Sequence, residues 1–102
     1  MVYINGSTII IESEKATLED KLDLDNAIDS LIEIGYETIY LDLGTPRYLP
    51  SELMGLLMWK KKELMEKNRN IRISRISSNL KTVFENALLI DFFEIDAQTT
   101  TT

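Results

Sequence analysis

The chain contains no histidine and no cysteine. Every Ser-His-Asp or Cys-His mechanism is thereby excluded, and so are metal sites built on imidazole or thiolate. General acid–base chemistry would fall to carboxylates, tyrosine or lysine. Glycine and proline are scarce, at four and two residues, and no glycine-rich phosphate loop occurs. No apolar run approaches the roughly 18 residues of a membrane span. The opening Met1-Val2-Tyr3-Ile4-Asn5 lacks the basic and apolar regions of a signal peptide, so the expected location is cytoplasmic, in keeping with the absence of cysteine. A formal charge of −6 opposes a nucleic-acid partner. No metal and no cofactor are expected.

What is present fits one folded domain. The chain has 102 residues, 44% of them apolar, enough for a single core and too apolar for wholesale disorder. The reading places the domain at residues 1–96 and a polar, frayed tail at 97–102.

Val2–Ile4 and Thr8–Ile11 read as two strands joined by an Asn5-Gly6 turn, the strongest short hairpin signal. Glu12 to Leu24 shows no clean period and reads as loop. Leu24, Ala27, Ile28, Leu31, Ile32 and Ile34 then recur at three- and four-residue spacings, giving a helix with Asp23 or Asp25 as cap and Gly35 just past its end. The acidic cluster Glu19, Asp20, Asp23, Asp25 and Asp29 lacks the glycine and terminal glutamate of a calcium loop. It reads as a solvated, capping face.

The organising stretch is 39–67. Ile39–Leu43 is short and apolar, as suits a buried strand. The loop 44–50 follows and carries both prolines, Pro46 and Pro50. Ser51 then stands where a helix N-cap belongs, with Glu52 in the first turn. On this helix Leu53, Leu57 and Leu64 share the core face, bordered by Met54 and Met65. Met58 lies on the same side as Ser51 and Met54. Met58 and Trp59 read either as peripheral core or as an exposed apolar patch beside Ser51. The run Lys60-Lys61-Lys62, followed by Glu63 and Glu66, reads as a solvated surface.

Asn68–Asn70 ends the helix and Ile71–Ser74 alternates as a strand. Ser77-Ser78-Asn79 is a loop and cap before an amphipathic helix carrying Leu80, Val83, Phe84, Ala87 and Leu88. Leu89–Ile95 reads as a short apolar segment docked on the core. The sum is an α/β fold in the order β-β-α-β-α-β-α, with a four- to five-stranded mixed sheet packed with α-helices.

The order and the residues together resemble the STAS domain, the family of bacterial anti-sigma factor antagonists. The resemblance spans Val2 to Ile95. It rests on Tyr40-Leu41-Asp42-Leu43, then Tyr48-Leu49-Pro50-Ser51, then Leu53 to Leu57, and on the closing Ile71-Arg72-Ile73, Ser77-Ser78-Asn79-Leu80, Val83-Phe84 and Phe92-Phe93-Glu94-Ile95. The family's turn is close to Asp-Ser-Ser-Gly; here Leu49, Pro50, Ser51 and Glu52 stand at those places. The resemblance implies a non-catalytic module of signalling and transcription regulation that binds a partner kinase or switch protein. It implies Ser51 as the phosphorylation site. Arg47, Tyr48, Ser51, Met54 and Met58 then read as the partner-binding face, since Met suits adaptable contacts and Arg and Tyr are common binding hot spots. One alternative is a subunit or scaffold of a larger complex, for example transporter-associated, without phosphorylation. Another is a small-ligand or enzyme domain using Asp42 at the carboxyl end of a strand, with Tyr48 nearby.

Overall fold

The computed structural model describes residues 1–96 and 99–101. Its elements are β1 (Val2–Asn5), β2 (Thr8–Ile11), α1 (Leu18–Ile34), β3 (Thr38–Leu43), α2 (Ser51–Met65), β4 (Asn70–Ser77), α3 (Ser78–Asn86) and β5 (Thr100–Thr101). The strands form one mixed sheet in the order β1-β2-β3-β4-β5. β1 and β2 are antiparallel and the remaining pairs are parallel. Three crossovers step one way along the sheet, and the right-handed rule for such connections places the three helices on one face. The order β-β-α-β-α-β-α agrees with the sequence reading. Thr100–Thr101 pairs with Ile76 and Ser77, where the reading expected a frayed tail; Ala97, Gln98 and Thr102 of that tail lie outside the described residues.

β3 is central. Ile39, Leu41 and Leu43 are buried and alternate with Tyr40 and Asp42 on the uncovered face. They share one core with Ile9, Ile11, Leu53, Leu57, Ile71, Ile73, Leu80, Phe84 and Phe93. β4 continues past the expected Ser74 because of a bulge. Leu41 pairs with Ile73 but Asp42 pairs with Arg75, leaving Ser74 as the extra residue; its hydroxyl donates to Leu41 O at 3.1 Å. Without that extra residue the period-two rule would bury Arg75 and expose Ile76. With it, Ile76 is buried and Arg75 exposed.

Several local readings are corrected. The hairpin loop is Gly6-Ser7, since Asn5 pairs with Thr8; of these two loop residues Gly6 alone has positive φ, so a turn with glycine at its first central position replaces the expected Asn-Gly type. α1 begins at Leu18, well inside the segment read as loop. Its cap is Thr17, not Asp23 or Asp25: the Thr17 hydroxyl accepts from Asp20 N–H, and Asp20 Oδ2 accepts from Thr17 N–H at 2.9 Å. This reciprocal box is built with Asp in place of the usual Glu, and it buries Asp20. Gly35 closes α1 in the left-handed region, as read. Ser77 is the cap of α3, accepting from Leu80 N–H, and Ser78 and Asn79 already belong to the helix. α3 ends at Asn86, so Leu88 leaves the expected apolar stripe; it has φ +60° and is 88% exposed. Leu89, Phe93 and Ile95 dock on the core as read.

Candidate functional site

The loop 44–50 leads from the carboxyl end of β3 into α2 and is tied down on three sides. Gly44 N–H donates to Asp42 Oδ1 at 3.0 Å. Arg47 N–H donates to Glu14 O at 2.7 Å, and Ala16 N–H donates to Tyr48 O at 3.2 Å. The buried Ser77 hydroxyl donates to Pro46 O at 2.6 Å. Pro46 and Leu49 are buried beneath. Arg47 and Tyr48 are therefore exposed side chains on a pinned backbone. The Lys15 ammonium lies 6.0 Å from the Tyr48 ring centroid, at the outer limit of a cation–π contact.

Ser51 is the first residue of α2, and the N-cap position is Pro50. The expected capping role of Ser51 is thus corrected. Pro50 brings no side-chain cap, and its fixed φ of −60° sets the extended backbone that leads into the helix. The Ser51 hydroxyl is exposed and donates to Glu52 Oε1 at 3.3 Å. Both oxygens are open to solvent at the positive end of the helix dipole.

Ser51, Met54 and Met58 occupy one side of α2, at spacings of three and four residues. Met54 is half-buried against the core, while Met58 is exposed. Met58 lines an apolar recess with Gly55, Trp59, Lys62 and Phe92. Arg47 lines a different recess, a polar one, with Gly44, Thr45, Ser77, Ser78 and Asn79. The five residues singled out from sequence therefore do not share a single pocket: Arg47 and Met58 line separate recesses, and Ser51 comes between them along the chain.

Trp59 is 64% exposed, so of the two readings for this pair the surface patch is the one the geometry supports. The patch gains Phe92, which the sequence reading did not assign to it. Phe92 is placed by Phe93, whose buried ring it meets edge-on at 5.0 Å.

The sequence reading missed Lys61. Read as a solvated residue of a basic run, it is 1% exposed. Its ammonium donates to Asn70 Oδ1 at 2.8 Å, Ile71 O at 2.9 Å and Glu94 Oε2 at 3.1 Å. It also lies 5.9 Å from the ring centroids of both Phe92 and Phe93. The signal was available: Leu53, Leu57, Lys61 and Leu64 fall on one helical stripe. Glu94 sits below the usual carboxylate range because Asn70 and Lys61 donate to its charged form, against a smaller opposing effect of burial. Lys60 is partly covered as well, paired with Asp25 at 3.2 Å and Asp29 at 3.0 Å. The acidic cluster of α1 is thus partly a docking site for α2, not only a solvated face.

Each carboxylate oxygen of Asp42 has one partner. One carboxylate oxygen takes the Gly44 N–H and the other pairs with Arg75 Nη1 at 3.3 Å. A Cβ at Gly44 would stand 3.1 Å from Asp42 Oδ1 and 3.2 Å from the Arg75 guanidinium, so a larger residue there would push this ion pair aside by a few tenths of an ångström. Among the described residues no group of three or more acidic side chains is arranged to hold a metal ion, and no helix is long and apolar enough to cross a membrane. No protein-family model matches the chain, and no curated protein matches it closely enough to report.

Proposed function

We propose that this protein is a regulatory binding module of the anti-sigma factor antagonist kind, which meets a protein partner through the surface running from Arg47 and Tyr48 across Ser51 to Met58 and Trp59. The observation that carries the reading is the placement of Ser51. It is an exposed, uncapped serine at the start of α2, between a pinned loop bearing Arg and Tyr and an apolar recess bearing Met and Trp. Aromatic, Arg and Met side chains are the residues that interfaces favour. Phosphorylation of Ser51 would add about −1.5 to −2 charge at this surface. The helix N-terminus would tolerate it, so the fold would persist while the partner contact changes. Asp42 supports this reading over a catalytic one, because both its oxygens are already held.

One observation favours a second reading, a constitutive subunit of a larger complex. Glu52 lies against the Ser51 hydroxyl, and its charge opposes a phosphate at that position. The experiment that separates the two is affinity purification of the tagged chain from native cells, followed by calorimetry with the recovered partner. A switch module predicts that Ser51→Asp and Met58→Lys both weaken binding at least tenfold. A constitutive subunit predicts that Met58→Lys alone does so. Wild-type affinity for both variants would refute the proposed face.

A further inference from the structure

β1 is an open edge of the sheet. Glu12 N–H donates to Met1 O at 2.9 Å, and the β1–β2 register pairs Val2 with Ile11, Tyr3 with Ile10, Ile4 with Ile9 and Asn5 with Thr8. Bonded and non-bonded pairs alternate in an antiparallel ladder. Met1, Tyr3 and Asn5 therefore bond to β2, while Val2 and Ile4 turn their N–H and C=O groups outward. Such an edge is a template for another strand unless a charge, a proline, a bulge or a covering element blocks it. Residues 2–5 carry no charge and no proline, and their register runs without a bulge. The flank of the strand is open too: Val2, Tyr3 and Ile4 line a shallow recess with Asp23, Asn26, Ala27 and Ser30 of α1, of which Asp23 alone is charged.

We propose that a second copy of this chain occupies this edge, with β1 pairing antiparallel to β1 of the other copy across a two-fold axis at Tyr3. The choice of occupant follows from the symmetry of the edge. The outward groups belong to Val2 and Ile4, one residue either side of Tyr3. A two-fold contact requires that residue i meet residue j while j meets i. Rotation about Tyr3 sets Val2 of one copy against Ile4 of the other, and each such pair exchanges both of its N–H···O bonds. The two β-branched side chains then pack together on the helix-covered side. Tyr3 meets Tyr3 on the uncovered side, where it is exposed. No like charges meet along the strand. A four-residue edge covers much less than the roughly 800 Å² per partner of a standard interface, and two chains of charge −6 repel. The pairing is accordingly weak and is strengthened by salt.

The chain contains no cysteine, which makes a direct test possible. Non-bonded antiparallel pairs have Cα atoms about 4.5 Å apart, within disulfide reach. Tyr3→Cys should oxidise to a covalent dimer, with a yield at least tenfold above that of Asn5→Cys. In the proposed register Asn5 of the two copies lies roughly 14 Å apart, from a strand rise of about 3.4 Å per residue. Equal crosslinking of the two variants, or none, overturns the proposal. Hydrogen exchange on the unaltered protein gives an answer that depends on no substitution. Raising the concentration from micromolar to millimolar should slow the Val2 and Ile4 amides and leave Tyr3 and Asn5 unchanged. No slowing at Val2 and Ile4 overturns the proposal, as does association that Trp59→Lys abolishes while Tyr3→Cys fails to crosslink.

Discussion

The Lys61 ammonium stands 3.1 Å from Glu94 Oε2 and so ties the middle of α2 to the segment that closes the core after α3. The two ends of this pair are unequal. Lys61 is 1% exposed and Glu94 is 44% exposed at its side chain. Removing the buried cation and removing the wetter anion should therefore have different consequences.

Lys61→Ala deletes a buried side chain, removes the side-chain donor to Ile71 O and leaves Asn70 Oδ1 with only the Ile71 N–H as donor. Losses of this kind cost about 3 kcal/mol. Glu94→Gln leaves Lys61 its two other acceptors and removes a carboxylate that water already screens, so it should cost less than about 1 kcal/mol. Urea denaturation of both variants checks the order. Equal losses would mean that the ion pair, rather than the buried ammonium and its acceptors, matters most at this junction.

The same pair sets a pH dependence. The folded-state pKa of Glu94 is lowered by Asn70 and Lys61. The folded protein therefore holds the charged form more tightly than the unfolded chain does. That contribution is fully present above the unfolded value of about 4.3 and is lost as pH falls through the lower folded value. Thermal unfolding followed from pH 6 downward should show the native protein losing stability below about pH 4.5, with a shallower loss in Glu94→Gln. Parallel curves for the two proteins would remove Glu94 from the account.

How far the fold could be read from sequence depends on what each residue answers to. Ile39, Leu41 and Leu43 announce a buried strand because the period-two pattern is a property of the strand itself. Gly35 announces a helix end because the left-handed region favours it. Lys61 was misread because charge type was weighed above its place on the Leu53–Leu57–Leu64 stripe, and its partners come from a distant segment. Thr17 was missed because α1 opens with Leu18 and Leu22 exposed, which blurs the apolar period that marks a helix start. The bulge at Ser74 is invisible in sequence, since only the pairing with β3 reveals it. At the candidate site the residues on α2 were legible from helical spacing. The recess was not, because Phe92 reaches it from beyond α3.

The corrected start of α1 is testable. Thr17→Ala removes the hydroxyl that accepts from Asp20 N–H and should cost about 1 kcal/mol. Thr17→Ser should cost a few tenths at most, because it keeps the acceptor. Asp23→Ala and Asp25→Ala, at the positions first expected to cap, should not weaken the helix start. Hydrogen exchange at the amides of residues 20–22 localises the effect: faster exchange there in Thr17→Ala alone is expected. Faster exchange in the Asp23 or Asp25 variant would move the cap back into the helix.

The start of α2 gives the opposite expectation, and it governs how any binding experiment reads. Ser51 is not a cap. Ser51→Ala therefore should not show the ~1 kcal/mol loss typical of a capping serine, and should stay within about 0.5 kcal/mol of the native protein. Ser51→Asp places a negative charge at the positive end of the helix dipole, worth about 0.3–1 kcal/mol. Glu52 one residue on offsets part of this by repulsion. The net change should be neutral to slightly stabilising. Glu52→Gln should enlarge the gain from Ser51→Asp by removing that repulsion, and a double-mutant cycle in urea measures the coupling. A coupling that vanishes in high salt confirms an electrostatic origin. A loss near 1 kcal/mol in Ser51→Ala would restore the capping role. Near-native stability in Ser51→Asp would mean that any loss of partner affinity in that variant arises at the contact surface, not from unfolding.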